Sequence, residues 1–175
     1  MAGGSGTRMG STTPKQFLLV NGKPVLYHTI KAFSDSFPAI EIILVLPKNQ
    51  MELGKEIIDG YFKEVNVRMT DGGETRFHSV KKGLSLIEEE SIVFIHDGVR
   101  CLTTKDLLIS CYNKALETGS AIPVSACRDS LRLITEDGHV VLDRNAVRLV
   151  QTPQTFHSKL ILPAYAIDYK DRFTD

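Results

Sequence analysis

Short apolar runs alternate along the chain with longer segments in which apolar residues recur every three or four positions. The runs IEIILVLP, SIVFIHD and SAIPVSA occupy residues 40–47, 91–97 and 120–126 and are rich in β-branched residues. The first two are apolar almost throughout, as in strands covered on both faces. The three runs therefore predict inner strands of a largely parallel sheet, and VNVRMT at 65–70 predicts another strand.

The segments with helical periodicity lie between these runs. They predict four crossover helices, at 23–35, 49–62, 76–87 and 103–119, with Gly119 placed to end the last. Alternating strands and helices predict a three-layer, doubly wound α/β domain. Its ligands are expected at the carboxyl ends of the strands, so the loops after strands are the candidate sites.

One segment, DSLRLITEDGHVVLDRNAVRLVQTPQTF at 129–156, breaks this alternation. Its LRLI and VVL runs flank a turn that contains Gly138, which predicts an inserted β-hairpin. A hairpin alone is marginally stable in water, so we expect it to pack on another surface, most simply a second copy of the chain. No repeat or linker argues for a second domain, and we expect one domain over 1–175 with a β-arm at about 127–150.

The amino-acid composition argues against several classes of protein. The 175 residues are 42% hydrophobic and 24% charged, which is ordinary globular usage. Lysine plus arginine and aspartate plus glutamate both number 21, so no global basic field attracts nucleic acid or an anionic membrane. Three cysteines without a C-x-x-C pair argue against a disulfide framework and a zinc knuckle. Without a membrane-length apolar run or a signal-peptide core, we expect a cytoplasmic protein.

The first candidate site is the opening stretch MAGGSGTRMGSTTPKQF, which has four glycines in its first ten residues. Such a stretch forms a loop, because glycine orders at a high entropic cost and offers nothing to pack. Its backbone N–H groups can converge on an anion, and Arg8 and Lys15 add positive charge where a transferring phosphate would sit. It matches neither the Walker pattern nor G-x-G-x-x-G, and a plain N-terminal loop is the alternative.

The second candidate is DGGETRFHSV at 71–80, after the predicted strand at 65–70. Its paired glycines allow close approach of a flat ligand, while Glu74, Arg76 and Ser79 can either hydrogen-bond a base or cap the following helix.

The third candidate is FIHDGVR at 94–100, where Asp97 follows a buried strand and Arg100 comes three residues later. An aspartate in this place can hold Mg²⁺ against a triphosphate, or simply form a turn. We expect His96 to be a packed imidazole rather than a metal ligand.

Five ordered motifs carry a family resemblance across essentially the whole chain. AGGSGTRMG with PKQF, then DGGETRFHSV, HDGVR, DRNAV and QTPQTF, resemble the 2-C-methyl-D-erythritol 4-phosphate cytidylyltransferases of the non-mevalonate isoprenoid pathway. The resemblance implies a CTP-dependent, Mg²⁺-dependent nucleotidyltransferase with a Rossmann-like fold. It also implies a homodimer whose inserted β-arm reaches the neighbouring active site.

The resemblance also implies residue roles. Arg8 and Lys15 would stabilise the transition state, Asp97 would hold Mg²⁺, and Arg100 would contact the methylerythritol phosphate. The CTP-binding residues it implies are Ala2, Gly3, Gly4, Ser5 and Gly6 for the triphosphate, with Gly73, Glu74 and Ser79 for the cytosine and ribose. On the arm, Ser130 and Arg144 would reach the partner's substrate phosphate.

The chain departs from the family pattern in several places. Family members have a buried strand before the glycine-rich loop and a later metal-binding Asp and substrate-contacting Lys, so we expect these 175 residues to be incomplete at both ends. Cys101 stands where proline is usual, and Ser130 and Arg132 replace threonine and lysine.

Three other functions stay open on the sequence. A ribitol or other pentitol 5-phosphate cytidylyltransferase shares the glycine loop and HD-x-x-R, although DRNAV favours the methylerythritol enzyme. A sugar-1-phosphate nucleotidyltransferase using UTP or GTP fits GGSGTRM but leaves DGGETR unexplained. The third alternative is an inactive module that binds a nucleotide or forms a dimer.

Overall fold

The computed structural model describes residues 1–2 and 13–170. Its five α-helices within those residues are α1 (Val25–Ser36), α2 (Met51–Tyr61), α3 (Arg76–Leu84), α4 (Lys105–Thr118) and α5 (Ser158–Ala164). No helix of the described residues combines the length and the apolar character that crossing a membrane requires.

The strands form several small sheets. In chain order they are β1 (Leu19–Val20), β2 (Lys23–Pro24), β3 (Glu41–Leu46), β4 (Asn66–Asp71), β5 (Ile92–Ile95), β6 (Ser120–Ala121), β7 (Val124–Ala126), β8 (Leu131–Thr135), β9 (Gly138–Leu142), β10 (Arg148–Val150) and β11 (Gln154–His157). Strands β3 and β4 pair in parallel, while β11 lies between β5 and β6 and runs antiparallel to both. The pairs β1–β2, β7–β10 and β8–β9 are antiparallel.

Most elements predicted from the hydrophobic pattern are present. The four predicted helices correspond to α1–α4, and Gly119 ends α4 in the left-handed region at φ 87°, where glycine carries no side-chain penalty. The predicted strands at 40–47, 65–70 and 91–97 are β3, β4 and β5, and the inserted hairpin is β8–β9. The α/β fold class is therefore confirmed.

The prediction of one inner strand at 120–126 is wrong. Residues 122–123 separate the two-residue β6 from β7, and all three residues of β7 are exposed. Pro123 has no N–H to donate to a sheet ladder. The chain leaves the β5–β11–β6 sheet at this point, enters the arm, and returns as β11, which supplies the antiparallel strand that the pattern did not reveal.

Two apolar clusters form the core. One joins α1, β3 and α2 through buried side chains that include Leu26, Ile30, Leu44 and Ile57. The other joins α3, β5 and α5 through Val80, Leu84, Ile95 and Ile161. A cavity of about 950 Å³ lies between the two halves and is lined by residues of β3, β5, α1 and α3.

The first two residues link the two halves at the carboxyl ends of β3 and β5. The Met1 amino group donates to the His96 carbonyl at 2.7 Å, and Gly98 N–H donates to the Met1 carbonyl at 2.6 Å. On the other side, Ala2 N–H donates to the Val45 carbonyl at 3.0 Å. The contacts with His96 and Gly98 have the pattern of a parallel bridge. The glycine-rich loop therefore begins at the sheet edge where ligands of α/β folds bind.

Candidate active site

Lys15 lies close to the start of the glycine-rich loop. It opens a 3-10 turn, Lys15–Phe17, whose second residue, Gln16, is buried. The Gln16 side-chain amide donates to the Ala2 carbonyl at 2.9 Å and to Gln50 Oε1 at 2.5 Å. The structure thus brings together two of the residues predicted for the triphosphate end, Ala2 and Lys15. The other residues predicted there, Gly3, Gly4, Ser5, Gly6 and Arg8, lie outside the described residues.

The DGG loop stands at the end of β4, beside the end of β3. Gly72 N–H donates to the Leu46 carbonyl at 2.7 Å, and Gly73 N–H donates to Ser79 Oγ at 2.9 Å. A Cβ on Gly73 would lie 2.4 Å from the His78 Cβ, so this close approach requires glycine. The loop is folded tightly against the first turns of α3.

The N-cap residue of α3 is not one of the residues predicted to bind CTP. Thr75 is the N-cap residue, and its hydroxyl accepts from His78 N–H at 3.3 Å. Glu74 is exposed, whereas Ser79 is buried and holds the Gly73 backbone. The segment thus forms the turn and N-cap of the alternative interpretation, with Thr75 as the capping residue rather than Glu74 or Ser79. Glu74 remains available at the rim of the loop, and Ser79 shapes the loop's backbone.

Asp97 lies between two guanidinium groups just beyond the end of β5. Arg100 Nε donates to Asp97 Oδ2 at 2.8 Å, and an Arg76 N–H lies 3.5 Å from Oδ1. Burial alone would raise the pKa of the Asp97 carboxyl, but the hydrogen bond from Arg100 and the charge of Arg76 outweigh burial and hold this pKa below its ordinary value. The carboxylate is thus ionised at neutral pH.

The segment before β11 completes this cluster. A guanidinium N–H of Arg100 donates to Gln151 Oε1, and Asp97 N–H donates to Thr152 Oγ1 at 3.4 Å. From sequence, Arg76 was a candidate base contact or helix cap, and Gln151 and Thr152 appeared only within the QTPQTF motif, with no role assigned. Their sequence separations from Asp97 and Arg100 run from 21 to 55 residues, so no local pattern in one sequence could have indicated the contacts.

His96 has a structural role, as predicted. Its ring is almost fully buried, and Nε2 lies 3.1 Å from the Arg100 carbonyl and 3.2 Å from Thr103 Oγ1. Burial lowers the pKa of this imidazole to about 4, so it is neutral and fixes the turn that carries Arg100.

Asp97 supplies the carboxylate oxygens of this cluster. Within the described residues, no three His, Cys, Asp or Glu side chains come together as a protein-only metal cage. Mg²⁺ commonly takes one or two carboxylates and completes its shell with phosphate oxygens and water. One ionised carboxylate at the ligand edge of the sheet is compatible with that pattern.

Ser130 and Arg144 lie on the arm, away from these contacts. Both are exposed, and the Arg144 guanidinium donates to the Arg128 carbonyl at 3.0 Å. Ser130 precedes β8, and Arg144 begins a 3-10 turn after β9. The hydrogen bonds described for Asp97 and Arg100 involve neither residue.

Comparisons with known proteins agree over the whole chain. The model of the 2-C-methyl-D-erythritol 4-phosphate cytidylyltransferase family matches residues 1–175. Proteins of that name from Bacteroides thetaiotaomicron and Phocaeicola vulgatus are each 44% identical over 175 residues, covering 100% of this chain and 80% of the relative.

Solved structures lead to the same family. The 4-diphosphocytidyl-2C-methyl-D-erythritol synthase of Anaerococcus prevotii is 30% identical, with a TM-score of 0.80 over 90% of this chain and 74% of its own. The 2-C-methyl-D-erythritol 4-phosphate cytidylyltransferase of Thermus thermophilus is also 30% identical, with a TM-score of 0.70 over 90% of this chain and 75% of its own. The chain therefore belongs to the 2-C-methyl-D-erythritol 4-phosphate cytidylyltransferase family.

Proposed function

We propose that this chain carries out its family's reaction at the carboxyl ends of β3, β4 and β5. In that reaction the CMP moiety of CTP is transferred to 2-C-methyl-D-erythritol 4-phosphate and pyrophosphate is released. This location is supported by the observation that three chain segments meet there. Met1 and Ala2 link the end of β5 to β3, Gly72 bonds to the end of β3, and Asp97 follows β5.

The chemistry requires positioning and charge neutralisation. An oxygen of the substrate phosphate attacks the α-phosphorus of CTP in line, and the bond to the bridging oxygen of the leaving pyrophosphate breaks. Negative charge grows on the non-bridging and leaving oxygens, so fixed cations lower the barrier without a covalent intermediate. Lys15 and Arg8 are proposed as those cations, and the backbone of 2–6 as the triphosphate cradle.

The nucleoside end is proposed to lie along the DGG loop. Gly73 allows the base to approach the backbone closely, and the Gly73 conformation is held by Ser79. The exposed Glu74 carboxylate can accept hydrogen bonds from a cytosine amino group or a ribose hydroxyl.

Asp97 is proposed to hold Mg²⁺, and Arg100 to contact the acceptor phosphate. When bound, Mg²⁺ would neutralise charge on the phosphates of CTP. The paired guanidiniums keep the Asp97 carboxylate ionised and oriented. Arg100 is 43% exposed at its side chain, so it can contact a phosphate in solution while it stays anchored to Asp97.

The arm at 127–150 is proposed to pair two chains into a homodimer. Its hairpin exposes four large apolar side chains, Leu133, Ile134, Val140 and Val141, between 48% and 76% accessible. A cluster of this kind on a two-stranded hairpin favours burial against a partner. The resemblance to the family supports the further step in which Ser130 and Arg144 reach the partner's substrate phosphate.

Removing either proposed catalytic cation should reduce turnover. Lys15→Ala and Arg8→Ala should each lower kcat by roughly 10² to 10³-fold with smaller effects on KM, because the charge acts mainly on the transition state. Steady-state pyrophosphate release measures both parameters. Lys114→Ala, on the exposed face of α4, is the matched control and should leave kcat unchanged. Near-normal kcat in both site variants would contradict the assignment.

Asp97→Asn should weaken Mg²⁺-dependent turnover while the fold is kept. The amide has the carboxylate's shape but lacks the charge that attracts the metal and the two guanidiniums. The Mg²⁺ concentration for half-maximal rate should rise, with little change in Tm. Asp106→Asn, at the exposed start of α4, is the control for the loss of one carboxylate. A parallel loss of Tm and activity would instead assign Asp97 a purely structural role.

Subunit mixing tests the arm. Arg8→Ala and Arg144→Ala homodimers each contain two damaged sites, but a heterodimer of the two has one site with both lesions and one with neither. Random pairing of equal amounts gives about half heterodimers, so activity should recover to roughly a quarter of the unmodified level. Mixing without unfolding is the control. No recovery after confirmed subunit exchange would show that Arg144 serves its own chain.

A further inference from the structure

We infer that Gln16 is a positioning residue of the active site, whose buried side-chain amide fixes Lys15 relative to the first residue of the glycine-rich loop. The inference rests on the proposed catalytic role of Lys15. It adds a residue whose own side chain need not contact either substrate.

The Gln16 side chain is anchored at two points. It is 1% exposed, and its one amide nitrogen donates to the Ala2 carbonyl at 2.9 Å and to Gln50 Oε1 at 2.5 Å. An amide nitrogen carries two hydrogens, so both are used. Gln50 is itself buried, at the end of the 3-10 turn that follows β3.

These contacts join three separate chain segments. Ala2 N–H is bonded to Val45 of β3, Gln50 follows β3, and Gln16 belongs to the turn that Lys15 opens. A buried amide N–H is costly unless it is hydrogen-bonded, so the two N–H bonds of Gln16 favour this arrangement over one in which the turn has shifted. The turn is therefore fixed to the end of the sheet from which the loop starts.

The anchor constrains Lys15 because the two residues are neighbours in a 3-10 turn. Consecutive side chains in such a turn point about 120° apart, so with Gln16 directed into the core, Lys15 is directed away from it. Pro14 restricts the backbone before the turn, and Phe17 N–H donates to the Pro14 carbonyl at 2.9 Å. A rotation or shift of the turn would move the lysine ammonium relative to the loop.

The test separates positioning from a general contribution to folding. Gln16→Met has nearly the same length but no hydrogen bond. With CTP, Mg²⁺ and methylerythritol phosphate, kcat should fall about tenfold or more, since displacement by about 1 Å can cost that much, with less than about threefold change in KM. In a Lys15→Ala chain, the same substitution should change kcat by less than about twofold, because the group it positions is gone.

A second variant and a control guard against a simple folding defect. Gln50→Met removes one of the two acceptors, and should lower kcat severalfold in the unmodified chain but not in Lys15→Ala. Ser158→Ala also removes one partly buried hydrogen bond, from Ser91 N–H at 3.0 Å, at the opposite end of β5. It should lower Tm without lowering kcat at a temperature where the chain stays folded.

Failure of the positioning role of Gln16 gives a different result from failure of the proposed function. If Gln16→Met, or Gln50→Met where the first does not fold, lowers kcat by the same factor with and without Lys15, the positioning role is wrong. Unchanged kcat in these variants would overturn it equally. If Lys15→Ala itself leaves kcat unchanged, the proposed role of Lys15 fails first.

Discussion

The pairing of Met1 and Ala2 with both β3 and β5 is the constraint on which the rest of the structure depends. Elsewhere in the described residues, β3 pairs with β4 and β5 pairs with β11. The backbone of residues 1–2 is hydrogen-bonded to both halves, and the Thr29 hydroxyl of α1 adds a bond to the Gly98 carbonyl at 2.8 Å. The space is tight, because a Cβ on Gly98 would lie 2.9 Å from the Ala2 Cβ. The start of the glycine-rich loop and the turn that carries Asp97 are thus fixed relative to each other by the same few atoms.

Charge is concentrated at the candidate active site rather than in an overall excess of one sign. The chain has no formal net charge, yet Arg76 and Arg100 converge on one carboxylate at the ligand edge of the sheet. Such a site can bind anionic phosphates while the rest of the surface has no strong field for other polyanions. Neutral His96 beneath the turn adds rigidity without adding a competing cation.

The sequence alone was sufficient to predict the features that depend on local residue patterns. Helical periodicity predicted α1–α4, β-branched runs predicted β3–β5, and ordered motifs predicted the family. It was not sufficient where a contact joins distant segments. The separation is 51 residues between Arg100 and Gln151 and 34 between Gln16 and Gln50, so these pairs follow from the tertiary fold rather than from any local spacing. The split at 122–123 was missed because apolar content outweighed the proline.

The measurement that tests the central claim most directly is the choice of acceptor. Pyrophosphate release is followed with CTP and Mg²⁺, using methylerythritol phosphate and ribitol 5-phosphate as separate acceptors. We expect kcat/KM for methylerythritol phosphate to exceed that for ribitol 5-phosphate by at least about tenfold, a difference typical of a site shaped for one acceptor. An equal or greater kcat/KM with ribitol 5-phosphate, or release with neither acceptor, would contradict it.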